Sequence, residues 1–231
     1  MERLPKLLER LCGIDGIEMI RLLYCYPEEI TDELIDVMAK NDKIMNYLDI
    51  PIQSGSDRIL KLMGRKTNST DIRALVGKLR DRIPDICIRT TLISGFPGEN
   101  ANDHEESLKR VKDMRFDRLG VFTYSCEENT PAASMKEQIP EKIKEKRRDE
   151  IMAMQQEISA AITEKLIGCT LKTIIEGSIP EDGIYVGRTY RDAPDVDGYL
   201  LINSERELMS GDIVDVFITD SDEYDLIGEI R

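Results

Sequence analysis

The sequence predicts an α/β region of about four parallel βα units, followed by a small all-β barrel. Strand-like apolar segments alternate with segments of helical periodicity over residues 1–139. Five short strand-like segments separated by Gly, Asp and Pro occupy residues 164–231, which is typical of a small barrel. A chain of 231 residues with 41% hydrophobic residues is long enough for one medium domain and one small one. We therefore predict three parts: domains at 1–139 and 164–231, and a connecting helix at 140–163.

The elements of the first region follow from periodicity and turn residues. An amphipathic helix begins the region, because Leu4, Leu7, Leu8 and Leu11 recur at helical spacing. Strands are predicted at about 18–24, 46–50, 86–93 and 118–123. Helices are predicted at about 31–40 and at 102–114. A short helix is predicted to begin at Ser56, and a longer one to contain the apolar stripe Ile72–Ile83. In parallel βα units the loops that follow the strands emerge on one face, where ligands bind.

A charged helix is predicted from Pro140 to about Leu166, ending before Gly168 as a C-cap residue. Its inner stripe is expected to consist of Ile143, Ile151, Met154, Ile158 and Ile162. Strands are then predicted at about 170–176, 184–189, 198–202, 212–219 and 224–230. These five strands are expected to form the barrel.

The four strand ends carry polar, small or aromatic residues. The third strand leads into Gly95-Phe96-Pro97-Gly98-Glu99, whose two glycines allow backbone to approach a ligand closely. Taken alone, this loop is more typical of a plain strand-to-helix turn. The other strand ends carry Tyr26 and Pro27, then Gln53, Ser54 and Ser56, then Tyr124 and Ser125. Together the four ends predict a ligand site on one face.

The charge is strongly acidic and unevenly placed. The formal net charge is −13, and residues 167–231 hold five basic against fifteen acidic residues. A broadly basic nucleic-acid surface is therefore disfavoured.

Cysteine and histidine usage disfavours a metal site. Five cysteines are scattered without metal-ligand spacing and are expected to be buried or idle thiols: Cys12, Cys25, Cys87, Cys126 and Cys169. His104, the only histidine, is expected to be a solvated surface residue, which disfavours zinc and Ser/His/Asp chemistry. We predict no metal ligand and no catalytic residue in this chain. No apolar run reaches the membrane-spanning length of about 18 residues, so we expect a cytoplasmic protein.

Several motifs resemble the methylthiotransferase family of radical-SAM enzymes. They are Asp49–Asp57 followed by Leu60, Met63 and Arg65; Arg89–Glu99; and Phe122–Ser125 with Thr130–Ala132. The terminal barrel resembles a TRAM domain. Its segments Gly187–Gly198 and Asp222–Leu226 resemble the RimO-type branch, whose members methylthiolate an aspartate of small-subunit ribosomal protein S-twelve. The resemblance implies a partial radical-SAM barrel followed by a TRAM domain.

One feature of that family is missing from the sequence. The family holds a catalytic 4Fe-4S cluster through a CxxxCxxC motif and a second cluster through three cysteines of an N-terminal domain. This sequence has neither set. We expect the chain to be the C-terminal part of such an enzyme, inactive by itself, with the missing N-terminal half as a candidate partner.

The resemblance also implies an S-adenosylmethionine site. Gln53, Ser54 and Ser56 match the positions that meet the methionyl and ribose groups, and Arg89 matches a position suited to the cofactor carboxylate. An ion pair across the sheet is the alternative for Arg89. The segment Gly95, Phe96, Pro97 and Gly98 would offer backbone against the adenosine, and Phe122 and Tyr124 a flat wall near the adenine. For Phe122 a core position is the alternative.

The acidic barrel suggests a basic protein partner. The candidate substrate-binding residues are Asp192, Asp195, Asp197, Asp222 and Glu223. Acidic complementarity would steer a basic ribosomal protein, whereas RNA phosphates would be repelled. The alternatives are a tRNA methylthiotransferase of the same family, a non-catalytic acidic module that docks a basic protein, and a solvated acidic surface. A phosphate-binding barrel enzyme is disfavoured because the chain lacks a basic loop and a catalytic histidine.

Overall fold

The structure, a computed structural model, describes residues 3–179 and 183–231. It divides into two compact units, Met1–Gln155 and Gln156–Arg231. The first unit is α/β and the second contains a closed β-barrel, which confirms the predicted fold class. The finer boundaries at 139/140 and 163/164 stay predictions. No helix among the described residues is long and apolar enough to cross a membrane.

A four-stranded parallel sheet organises the first unit, with strand order β1-β2-β3-β4. Its strands are β1 (Ile20–Leu22), β2 (Ile44–Asp49), β3 (Cys87–Ser94) and β4 (Arg118–Thr123). The helices are α1 (Arg3–Cys12), α2 (Asp32–Lys40), α3 (Asp57–Leu62), α4 (Ser69–Arg82), α5 (Ala101–Met114) and α6 (Glu141–Thr163), which continues into the second unit. Strands β2 and β3 are buried over most of their length, as expected for a sheet covered by helices.

Local sequence signals fix the starts of the longer helices. The Thr31 side chain caps α2 by accepting from the Leu34 N–H. Asn68 and Asn100 each form a capping box, with Asp71 in α4 and Asp103 in α5. These contacts satisfy backbone N–H groups that have no partner inside the helix. The loops after β1 and β3 thus end at capped helix starts, and Asn68 caps α4 after the turn that follows α3.

The first strand is shorter than predicted. It ends at Leu22 rather than near residue 24, because Tyr24 has a left-handed φ of 57°. The Tyr24 N–H donates to the Asp49 carboxylate (3.1 Å) and the Cys25 N–H to the Asp49 carbonyl (2.8 Å). The end of β1 is therefore held by β2 after regular pairing has stopped.

The inner stripe predicted for α6 is wrong at its first position. Ile143 is 42% exposed, whereas the neighbouring Lys144 is 7% exposed. Ile151 and Ile158 are buried as predicted. The helix ends at Thr163 and a 3-10 turn spans Glu164–Leu166, before Gly168 adopts a φ of 87°.

The second unit contains a closed barrel of five strands in the order β5-β6-β7-β9-β8. The strands are β5 (Thr170–Ile179), β6 (Ile184–Thr189), β7 (Leu200–Asn203), β8 (Ile213–Ser221) and β9 (Leu226–Glu229). Antiparallel pairing of β5 with β8 closes it, and β7 with β9 is the parallel pair. Its core is built from alternate inward residues, including Ile175, Leu200, Val216 and Leu226.

Candidate functional site

An apolar cavity of about 420 Å³ lies at the carboxyl ends of β3 and β4. Four of the predicted cofactor residues line it: Gln53, Phe96, Phe122 and Tyr124. Most of its lining is apolar, and polar groups such as Thr91 and Ser125 are interspersed. A pocket of this size with a few convergent polar groups is typical of a small-molecule site.

Backbone hydrogen bonds fix Gln53 at the rim of the cavity. Its N–H donates to the Thr91 carbonyl (2.9 Å) and its carbonyl accepts from the Ile93 N–H (2.9 Å). The residue has a φ of 71°, a conformation that non-glycine residues rarely adopt. The two β3 hydrogen bonds stabilise it and leave the amide side chain at the cavity.

Two aromatic rings form a rigid part of the wall. Phe96 and Tyr124 are both buried and meet edge to face, with ring centroids 5.5 Å apart and planes at 73°. Phe122 is 59% exposed and presents its ring to the cavity opening. The core alternative for Phe122 is therefore wrong. Successive side chains of β4 point to opposite faces of the sheet, so Val121 is buried (8% exposed) while Phe122 lies at the cavity.

The loop after β3 is closed by Glu99. Both carboxylate oxygens accept from the Gly95 N–H at 3.1 Å, and Gly95 has a φ of 74°. Arg147 of α6 donates to Glu99 Oε1 at 2.8 Å. Burial raises the pKa of Glu99, while the charge of Arg147 and the Gly95 N–H oppose that rise. Pro97 and Gly98 are buried in this turn, and neither lines the cavity.

Ser54 and Ser56 point into the protein. Ser54 Oγ accepts from the Ser56 N–H at 3.1 Å, and Ser56 Oγ donates to Asp103 Oδ1 at 2.7 Å. Both residues are buried, at 3% and 0% exposure. Burial alone would raise the pKa of Asp103, but hydrogen bonds from Arg58, the Asn100 N–H and Ser56 hold it below its usual value. In this structure the two serines shape the turn, and their contact with a cofactor stays a prediction.

Arg89 forms an ion pair across the sheet with Asp49, which is the alternative that the sequence left open for this residue. Its Nη1 lies 2.9 Å from Asp49 Oδ1, and the Arg89 and Asp49 side chains are 15% and 3% exposed. The two residues are register partners on β3 and β2. The pairing leaves a cofactor role for Arg89 as a prediction.

His104 is buried, so its predicted place on the surface is wrong. It is 7% exposed, and its Nε2 lies 2.7 Å from Glu150 Oε2 of α6. Helix α6 covers this face of α5, which local sequence around Asp103-His104-Glu105 does not reveal.

The cysteines do not converge. Cys87 is buried, Cys12 and Cys25 are half-buried, and Cys126 and Cys169 are exposed, all as free thiols. Within residues 3–179 and 183–231, no group of three or more Cys, His, Asp or Glu side chains could hold a metal ion. The described residues therefore do not fit an iron–sulfur cluster, which needs several thiolates at one place.

The acidic residues of the barrel fall into two kinds. Asp192 is 2% exposed and its Oδ2 accepts from the Thr189 N–H and hydroxyl at 3.1 and 2.8 Å. Asp197 accepts from the Ala193 N–H at 2.8 Å. Asp195 and Asp222 are exposed, and Glu223 accepts from the Gln156 amide at 2.9 Å. Asp192 thus stabilises its own turn, whereas Asp195 and Asp222 face solvent.

Some cavity residues were not among the predicted cofactor residues: Thr91, Ile93, Thr123, Ser125, Glu127, Thr130 and Ala132. All but Glu127 stand inside the motifs that carry the family resemblance. Lys144 and Arg147 of α6 were also missed, because a charged helix predicts a solvated face.

Comparison with known proteins identifies relatives of the chain. Residues 2–111 match the family model of the Radical SAM superfamily, and residues 167–230 match that of the TRAM domain. The ribosomal protein uS12 methylthiotransferase RimO of Lachnoclostridium phytofermentans is 58% identical over 225 residues, or 97% of this chain and 51% of that protein. The chain is a homologue of the RimO proteins over nearly its whole length. The two family models fall on the α/β unit and on the barrel, respectively.

Other comparisons agree with that assignment. RimO of Acetivibrio thermocellus is 50% identical over 230 residues, covering 99% of this chain and 51% of that protein. The chain thus spans about half the length of the curated RimO relatives it matches. Among solved structures, coproporphyrinogen III oxidase (HemN) from Escherichia coli, a radical SAM enzyme, has a TM-score of 0.54 at 19% identity. That match covers 82% of this chain and 48% of HemN, and it shows the fold alone.

Proposed function

We propose that the chain forms the part of a RimO-type methylthiotransferase that holds the adenosyl end of S-adenosylmethionine and docks the protein substrate. The apolar cavity at the ends of β3 and β4 carries the first half of this proposal, because its lining suits a nucleoside. The exposed Phe122 ring offers a flat face for a base, and the Gln53 amide offers a donor and an acceptor beside it.

The residues of this chain would bind and orient the cofactor. When bound in an enzyme of this family, S-adenosylmethionine supplies a 5′-deoxyadenosyl radical that takes a hydrogen atom from the substrate. Phe122 and Tyr124 would hold the adenine, and Gln53 would hydrogen-bond to the nucleoside. The buried wall of Phe96 and Tyr124 would keep water away from that side of the cofactor.

The described residues do not supply cluster ligands, so no step of the proposal uses a cluster. The chain spans about half the length of its RimO relatives, and the roles proposed for its own residues are binding and orientation. By this proposal the isolated chain binds ligand without turnover.

Binding of the nucleoside to the intact chain tests the first half. S-adenosylmethionine and S-adenosylhomocysteine are titrated by calorimetry into wild type, Phe122→Ala and Leu7→Ala. Leu7 is an exposed leucine of α1 (50% exposed) and serves as the control for loss of an exposed apolar side chain. We expect Phe122→Ala to weaken both ligands at least fivefold and Leu7→Ala to leave them within twofold. Equal affinities for all three proteins would contradict the cavity as the adenosyl site.

The acidic barrel supports docking of a basic protein, and the RimO relatives are named for action on ribosomal protein uS12. Residues 167–231 hold five basic against fifteen acidic residues, and Asp195 and Asp222 are exposed. Such a surface attracts a basic ribosomal protein and repels the phosphates of tRNA.

The second half is tested with the intact chain and two partners, uS12 and tRNA. We expect binding of uS12 to weaken steeply with salt, since exposed charges are screened beyond about 10 Å at 0.1 M. Asp195→Asn combined with Asp222→Asn is expected to weaken it further, whereas Glu105→Gln with Glu106→Gln, two acids of α5, is not. Asp192 is left unchanged because its carboxylate holds the Thr189 turn. Tighter binding of tRNA than of uS12 would favour the tRNA-modifying alternative.

A further inference from the structure

Helix α6 directs two cations at the loops that follow β3 and β4. Lys144 and Arg147 are three residues apart and so share one face of the helix. Their side chains are 9% and 13% exposed, although the surrounding sequence of α6 is rich in charge. Buried cations of this kind are costly unless each finds partners.

Lys144 reaches the end of β4. Its Nζ donates to the Tyr124 carbonyl at 2.7 Å and to Glu141 Oε2 at 3.0 Å. The same ammonium lies 5.3 Å from the centroid of the Tyr124 ring. One side chain thereby fixes both the backbone and the ring of Tyr124, a residue of the cavity wall.

Lys144 also reaches the end of β3. Its carbonyl accepts from Ser94 Oγ at 2.8 Å. Its aliphatic stem packs on Gly95, where an added Cβ would lie 2.3 Å from Lys144 Cγ. A glycine at position 95 is therefore required for this approach as well as for the φ of 74°.

Arg147 stabilises the loop after β3 through the carboxylate of Glu99. It donates to the Glu99 carbonyl at 3.2 Å and to Glu99 Oε1 at 2.8 Å, and Glu99 accepts from the Gly95 N–H. Lys144 thus packs directly on Gly95, whereas Arg147 acts on Gly95 through Glu99.

We propose that Lys144 is a positioning residue of the cavity, which joins the ends of β3 and β4 and sets the orientation of the Phe96–Tyr124 wall. Lys144 does not line the cavity and acts through Tyr124 and Gly95. The expectation that Lys144 affects ligand affinity rests on the proposed function. The expectation that Lys144 keeps the ends of β3 and β4 joined does not.

The test compares Lys144→Met with Gln155→Met in the intact chain. Methionine keeps most of the stem beside Gly95 and removes the ammonium. Gln155 is also a buried polar residue of α6, but its amide donates to the Phe116 carbonyl (2.8 Å), away from the cavity. The second variant therefore controls for loss of a buried hydrogen bond on the same helix.

Hydrogen exchange of the ligand-free chain is the first readout. The Tyr124 N–H donates to the Ser94 carbonyl at 2.9 Å, so its exchange reports whether the ends of β3 and β4 stay joined. We expect Lys144→Met to speed its exchange at least tenfold and Gln155→Met to leave it within threefold. Unchanged exchange in Lys144→Met, or equal acceleration in both variants, would overturn the proposal.

Affinity for S-adenosylhomocysteine is the second readout. We expect Lys144→Met to weaken this affinity at least fivefold and Gln155→Met to change it less than twofold. An equal loss of affinity in both variants would indicate a general structural effect and would overturn the proposal. If wild type does not bind this probe, the proposed function fails, and the exchange experiment alone still decides the role of Lys144.

Discussion

The guanidinium of Arg58 forms a two-point ion pair with the carboxylate of Asp103, which joins the start of α3 to the first turn of α5. Arg58 Nε lies 3.1 Å from Asp103 Oδ1, and Nη2 pairs with Oδ2 and with the Gly98 carbonyl. Asp103 is 3% exposed and also accepts from Ser56 and from the Asn100 N–H. One carboxylate thus joins the loop after β2, which carries Gln53, to the loop after β3, which carries Phe96.

Asp103→Asn is expected to lower the free energy of unfolding by about 2 kcal/mol at pH 7, because several hydrogen bonds to a buried charge are weakened together. Asp113→Asn is the control, since its pair with Arg73 is exposed (34% and 54%) and is worth about 0.5 kcal/mol. Denaturant unfolding measures both. Equal effects of the two changes would show that the Asp103 network contributes no more than a surface pair.

The same variant has a defined pH dependence. The pKa of Asp103 is lowered from its ordinary 3.8, so the stability it provides is present above that value and is lost as pH falls through its folded pKa. The difference in unfolding free energy between wild type and Asp103→Asn should therefore be constant near neutral pH and shrink below pH 3.8. A difference that grew on acidification would contradict this assignment.

Gly55→Ala is expected to destabilise the fold by about 1–3 kcal/mol. A Cβ at Gly55 would lie 2.4 Å from the Ser107 Cα, so the loop after β2 could no longer pack on α5. Gly77→Ala in α4 is the matched control, because no atom lies within 4 Å of its added Cβ. That change should stabilise by about 1 kcal/mol through helix propensity. Thermal unfolding measures both signs, and stabilisation by Gly55→Ala would refute the close packing.

The Cys25 thiol is expected to react slowly with alkylating reagents at pH 8. Burial, and then the charge of Asp49, raise its pKa to about 11. Only about one molecule in a thousand then carries the reactive thiolate at pH 8. Iodoacetamide labelling followed by peptide mass spectrometry should show the exposed Cys126 and Cys169 modified first. Labelling of Cys25 should accelerate about a hundredfold between pH 8 and pH 10, and equal rates for Cys25 and Cys126 at pH 8 would be inconsistent with its burial.

Anaerobic reconstitution of this chain with iron and sulfide is expected to give far less than one 4Fe-4S cluster per molecule. No three thiols converge within residues 3–179 and 183–231. Iron and sulfide assays with the visible spectrum measure the yield, and a chain with all five cysteines changed to serine gives the background. A stoichiometric cluster spectrum above that background would refute the placement of the cysteines.

Much of the fold was predictable because its signals are local. The alternation of apolar segments predicted β2, β3 and β4 to within two residues at each end, and Thr31 marked the start of α2. The five barrel strands followed from short apolar segments between turn residues. Motifs near the strand ends were also enough to indicate the family, and Gln53, Phe96, Phe122 and Tyr124 do come together at one cavity.

The tertiary structure alone decided which polar groups are buried and what they bind. The sequence by itself determined the parallel α/β order, the acidic barrel and the lack of cluster cysteines. It did not reveal that His104 meets Glu150, that Arg89 pairs with Asp49, or that Lys144 rather than Ile143 faces inward. Each of these contacts joins residues distant in the chain or depends on which helix face is covered. A charged residue in a helix predicts solvent unless its buried partner is known, and only the packing of α6 on the strand ends supplies that partner.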